Sequence, residues 1–220
     1  MKFQFRKFAI GALVFFTVLS AFNWNSRSKP FENGDIIFQT SKSSQSNAIF
    51  AASLSPFTHM GIIKKTKQGT VVIEAVGPVK ETPIGAWINR GRFDRFAVYR
   101  LKETNNADFD IVFDELREYY GRPYDIFFSF DNNAIYCSEL VDIGYTAIDI
   151  HLGRSQKASS LLINLPIVKS LIRKRIQKDP ACQKKSQAQC AAIINDRELV
   201  TPVSIARDKK LFKVYSNYPF

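Results

Sequence analysis

The chain has 220 residues, of which 45% are hydrophobic and 23% charged, with a formal net charge of +11. This length and apolar share suit one domain with a substantial core, and they exclude a disordered or low-complexity chain. The basic balance does not point to nucleic acid, because no nucleic-acid-binding motif accompanies it.

The first segment differs in kind from the rest. Lys2, Arg6 and Lys7 precede an uncharged apolar run over 8–22, and polar residues follow over 23–30. That is the layout of a secretory signal, although the run is short against the ~20 residues of a full bilayer span. We read 1–28 as a signal peptide or N-terminal membrane anchor and 30–220 as a single domain. The expected location is the periplasm, free or anchored to the periplasmic face of the inner membrane. No cysteine lies in the segment, so a lipoprotein anchor is excluded.

Residues 35–38 read as a first short strand and 43–54 as a helix that stops at Ser55-Pro56. The runs 60–63 and 71–76 flank the charged turn 64–69 and form a hairpin. The stretch 77–83 reads as a loop. Residues 95–101 alternate at period two as a further strand. Over 108–120, Phe109, Val112, Phe113, Leu116 and Tyr120 recur at helical spacing, with Gly121 as the stop. After the loop signal Asp131-Asn132-Asn133, a helix opens at Cys137 and carries Leu140, Val141, Gly144 and Tyr145 on its apolar face. A basic helix over 166–178 and a last strand over 211–215 complete an α+β chain.

Three groups on these elements make a chemical constellation. A thiol-dependent acyl-transfer site needs a thiol, an imidazole base and a group to orient that base. Cys137 opens a helix, where unpaired N–H groups favour the thiolate and can serve an oxyanion. His59 and Glu74 lie on the two hairpin strands, which can set them side by side near one end. A buried structural cysteine, a core histidine and an edge-strand glutamate remain the plainer alternatives for each residue alone. Glu139 is a poorer orienting group because its position on the cysteine helix turns it away. His151 reads as structural or exposed.

Taken together, several stretches resemble a known family. They are Gly34-Asp35-Ile36-Ile37-Phe38-Gln39, Ser43-Ser44-Gln45-Ser46, Thr58-His59-Met60-Gly61, Glu74-Ala75-Val76-Gly77-Pro78-Val79-Lys80, Gly121-Arg122-Pro123-Tyr124-Asp125 and Tyr136-Cys137-Ser138-Glu139. The order His, Glu, Cys resembles the circularly permuted branch of the NlpC-type papain-fold cysteine hydrolases, and more closely the YiiX-like proteins. The resemblance implies a circularly permuted papain-like fold, its antiparallel sheet packed with the cysteine helix. It implies Cys137 as nucleophile, His59 as base, Glu74 as orienting residue and Tyr124 in the pocket. Tyr136, beside the cysteine, and Gly77 and Lys80, in the loop past Glu74, are expected to help bind the substrate. Cleavage or transfer at an amide of an envelope peptide or acylated amine follows. A non-catalytic envelope ligand-binding protein on the same fold remains the alternative. No cofactor is implied.

Cys182 and Cys190 bracket a short polar stretch that a disulfide closes in an oxidising compartment, leaving Cys137 as the odd thiol. Three cysteines and two histidines without paired short spacings argue against a zinc site. The helix over 166–178 sets Ile167, Val168, Leu171, Ile172 and Ile176 against Lys169, Arg173, Lys174 and Lys178. It is suited either to packing its stripe on the core or to meeting an anionic membrane surface or acidic polymer.

Overall fold

The computed structural model describes residues 31–103, 107–130 and 133–219. The segment read as a signal or anchor lies outside them. Among the described residues no helix is long and apolar enough to cross a membrane.

The sheet is built from β1 (Ile36–Ser41), β2 (His59–Thr66), β3 (Gly69–Ala75), β4 (Val79–Pro83) and β5 (Gly91–Leu101). Two short strands, β6 (Gln156–Lys157) and β7 (Glu198–Leu199), pair separately, and β8 (Leu211–Ser216) returns to the main sheet. The main order is β4-β3-β2-β1-β5-β8, with every neighbour antiparallel. Alternating side chains give the sheet two apolar faces, as a pleated strand requires. Ile36, Phe38, Met60, Ile62 and Ile73 face one core, and Ile37, Ile63 and Val72 face the other.

The first core is covered by α3 (Phe109–Arg117) and α4 (Cys137–Thr146). Asp108 caps α3 by accepting from the Asp110 amide, and Val112, Phe113 and Leu116 form its buried stripe. Gly121, at φ +85°, turns the chain after it. The second core is closed by α2 (Ile84–Asn89) through Trp87 and Ile88.

The early helix α1 (Ser46–Ser53) starts later than the pattern suggested, because 43–46 closes as a turn with the Ser46 amide on the Ser43 carbonyl. The stretch 77–83, read as a loop, is a turn followed by edge strand β4. Its terminal Pro83 is tolerated because an edge strand need not donate on its outer side.

The rest of the chain, with α5 (Pro166–Ile176), α6 (Gln187–Asp196) and α7 (Pro202–Ala206), wraps over the start of α4. Cys182 and Cys190 are joined there, their Cα atoms 5.1 Å apart.

Candidate active site

The β2–β3 ladder pairs Thr66 with Gly69 through to Ile62 with Ile73, and His59 and Glu74 lie at its far end. Gly61 permits the close approach of these strands: a Cβ there would come within 2.6 Å of the Ile73 carbonyl and 2.5 Å of a Val72 methyl. His59 and Glu74 share the strand face of Ile63 and Val72, away from α3 and α4. His59 Nε2 lies 2.6 Å from Glu74 Oε2. The Trp87 indole stacks on the imidazole, centroids 6.0 Å apart and planes 25° apart.

Glu74 is fully buried, and three groups meet its carboxylate. Besides His59, Thr82 Oγ1 donates to Oε1 at 2.6 Å, and the Arg90 guanidinium donates to the same oxygen. Burial alone would raise its pKa, but the hydrogen bond and charge of His59, then Thr82 and Arg90, hold it below the usual carboxylate value. Thr82 and Arg90 had no signal in the sequence. They belong to an unpredicted strand and to the cap of an unpredicted helix.

Cys137 comes to His59 from the other core. It is the first residue of α4 and is buried. Glu139 Oε2 accepts the Tyr136 amide at 3.1 Å, so Glu139 caps the helix, and His59 is oriented by Glu74. The imidazole hydrogen-bonds Cys137, and with Nε2 engaged by Glu74, Nδ1 is the nitrogen left for the sulfur. Burial opposes protonation of His59. The hydrogen bonds and charges of Cys137 and Glu74 outweigh it and push the imidazole up to about 9. His151 is exposed, away from Cys137, and its partners include Thr146 and Lys210.

Tyr124 hydrogen-bonds both Gln45 and Cys137, and burial together with the cysteine's charge pushes its phenol well above the ordinary value. Tyr136 is buried, with Val200 donating its amide to the hydroxyl. Both tyrosines and Cys137 stand in the wall of a cavity of about 140 Å³. Gly77 and Lys80 do not line it. Gly77 packs against Tyr124 from the turn, and Lys80 is exposed on β4 opposite Glu74. Both follow Glu74 closely in sequence, but the turn after β3 carries them to the sheet edge.

The cavity is mostly apolar. Ala48, Ile49 and Ala52 of α1 form one side, and Val168, Leu171 and Ile172 of α5 form another. Apart from Ile167, which is exposed, the stripe of the basic helix therefore faces a cavity at the cysteine and does not seal the sheet core. Arg175 and Arg197 reach the carbonyls of Ile126 and Phe127, tying down the segment beside Tyr124.

This arrangement can be set against known proteins. A family model described as a permuted papain-like amidase enzyme, YaeF/YiiX, C92 family, matches residues 30–215. The chain belongs to that family. Its C92 relatives include the uncharacterized protein YiiX of Escherichia coli strain K12, 34% identical over 161 residues, covering 72% of this chain and 77% of YiiX. A crystal structure described as metalloprotein YiiX from Escherichia coli O157:H7 superposes with a TM-score of 0.74 at 30% identity, covering 86% of this chain and 98% of that one. Among the described residues of the present C92 protein, no group of three or more His, Cys, Asp or Glu is placed to hold a metal ion. The family is one of cysteine-peptidase-like amidases, and the fold is the α+β arrangement of its members. The chain is a cysteine hydrolase.

Proposed function

We propose that this hydrolase cleaves the amide bond of an acylated amine in the cell envelope, with the acyl group held in the cavity at Cys137. The observation that carries this reading is the apolar wall shared by α1 and α5 beside the thiol. A peptide subsite would need polar partners for the substrate's backbone. A hydrocarbon needs only such a wall.

Cys137 as thiolate attacks the amide carbonyl carbon, and the electron pair moves to the oxygen. The first-turn amides of α4, which have no intrahelical acceptor, and the Tyr124 hydroxyl stabilise that oxygen. As the C–N bond breaks, His59 Nδ1 delivers its proton to the departing amine. The thioester left on Cys137 is hydrolysed by water that His59 deprotonates, releasing the acid and the thiol. Glu74, held ionised by Thr82 and Arg90, keeps the imidazole oriented and favours its charged form. The signal-like N-terminus and the Cys182–Cys190 bond support an exported enzyme, since disulfides persist in oxidising compartments.

The test is a series of N-acyl amines of increasing chain length, followed by mass spectrometry of Cys137. Each methylene entering the cavity contributes about 0.8 kcal/mol, about fourfold in kcat/KM. A rising series with an acyl adduct on Cys137, lost in Cys137→Ala and His59→Ala, supports the proposal. Short peptides turned over faster than any acyl amine would refute it. A trapped adduct that passes to added amines faster than to water would reassign the reaction to acyl transfer.

A further inference from the structure

The excess positive charge has a definite location. From Arg154 to Lys185 the chain carries nine basic residues and one acid, Asp179. Asp179 is buried against Arg197, and Arg175 turns inward to Gln45 and the Ile126 carbonyl. Lys169, Arg173, Lys174, Lys178, Lys184 and Lys185 are left exposed. Among the described residues none of these six takes part in an ion pair.

Large apolar side chains stand exposed beside them. Leu162, Leu165 and Ile167, the last 46% exposed, lead into α5. The Leu162 amide bonds the Ala52 carbonyl, which sets this segment against the end of α1, where Leu54 is 70% exposed. Phe50 of α1 is also exposed. The segment alternates in its facing: Ile163 and Val168 line the cavity, while Leu162, Leu165 and Ile167 face outward.

We propose that this face docks on an anionic lipid bilayer. The exposed leucines and Ile167 enter the boundary between headgroups and acyl chains, and the lysines lie over the phosphates. A soluble acidic polymer would engage the lysines and leave the apolar rim in water, whereas a bilayer engages both. The passage of an acyl chain from bilayer to cavity rests on the substrate reading above; the docking itself does not require turnover.

The test uses the full chain with vesicles of phosphatidylcholine alone or mixed with phosphatidylglycerol. Ile167→Trp is made together with Trp24→Phe, so that the only other indole is the buried Trp87 and the new one reports locally, whatever the N-terminal segment does. Brominated acyl chains should quench it in the anionic vesicles with at least tenfold tighter apparent binding than in neutral ones. The preference should fade between about 0.05 and 0.5 M salt, as the Debye length shortens. Adding Lys169→Glu, Arg173→Glu, Lys174→Glu and Lys178→Glu should lose at least tenfold in binding while hydrolysis of a short-chain soluble amide is unchanged. Absent quenching, equal quenching in both vesicle types, or polyglutamate binding without quenching would overturn the proposal. Docking that persists in Cys137→Ala, alongside a wild-type chain inert toward acyl amines, would refute the substrate reading and leave the docking face standing.

Discussion

Replacing Glu74 by Gln probes the centre of the proposed site. The change keeps the side chain's size but removes the charge 2.6 Å from His59 Nε2, and with it Arg90's ionic partner. The rise of His59 from 6.5 to about 9 favours the imidazolium by about 3 kcal/mol. That figure is what remains after burial has worked against the charge, so Cys137 and Glu74 together supply more than it. Losing Glu74 removes one of the two partners that raise the imidazole, so its pKa should fall from about 9. At pH 7.5 a smaller share of the imidazole would then be protonated, and the leaving amine would lose proton donation. Turnover should drop by about 10²–10⁴-fold. The alkaline limb of the rate profile, near pH 9 in the wild type, should move to lower pH, and iodoacetamide should modify Cys137 more slowly at pH 7. A Glu74→Gln enzyme with unchanged turnover, rate profile and alkylation would refute the reasoning.

The same carboxylate governs acid stability. Its folded pKa is depressed, so its contribution is full above about 4.5 and lost as pH falls through the lower folded value; melting curves of Glu74→Gln should lack that acid limb. Gly61→Ala should destabilise the fold by about 1–3 kcal/mol, because the new methyl meets the Ile73 carbonyl and Val72, and urea unfolding measures it. Ile172→Trp, which fills the cavity, should lower the ratio of long-chain to short-chain acyl amide turnover at least tenfold; an unchanged ratio would place the acyl chain elsewhere. Replacing Cys182 and Cys190 by Ser should cost about 2–3 kcal/mol, and thiol titration of unfolded wild type prepared without reductant should find one free thiol.

Elements with strong period or punctuation were legible in the sequence. The hairpin came from two β-branched runs around a charged turn, and α3 from five apolar residues at helical spacing closed by Gly121. What escaped was short or depended on tertiary context. Strand β4 follows Pro78 and ends on Pro83, which locally say loop, and it forms because β3 offers an unpaired edge. Helix α2 has only six residues, too few for a periodic signal, yet it supplies Trp87 and precedes Arg90. The stripe on α5 was visible, but no pattern in a helix states whether its apolar face meets a core or a cavity. Gly77 and Lys80 stand outside the cavity wall for a related reason: nearness in sequence to Glu74 says little about direction once the chain turns.

His59 and Glu74 belong to the face that α2 closes, and Cys137 to the face that α3 and α4 close. The proposed reacting pair therefore meets at the rim of the sheet, across the seam between two separately packed interiors. The gap between sulfur and nitrogen is then a mechanical quantity, set by how far α4 stands off one side and how tightly Trp87 presses on the other. Volume changes at Leu116 or at Ile88, neither of which touches substrate, should register in catalysis as displacements of opposite partners. A deletion in one interior should be relieved in part by a compensating change in the other.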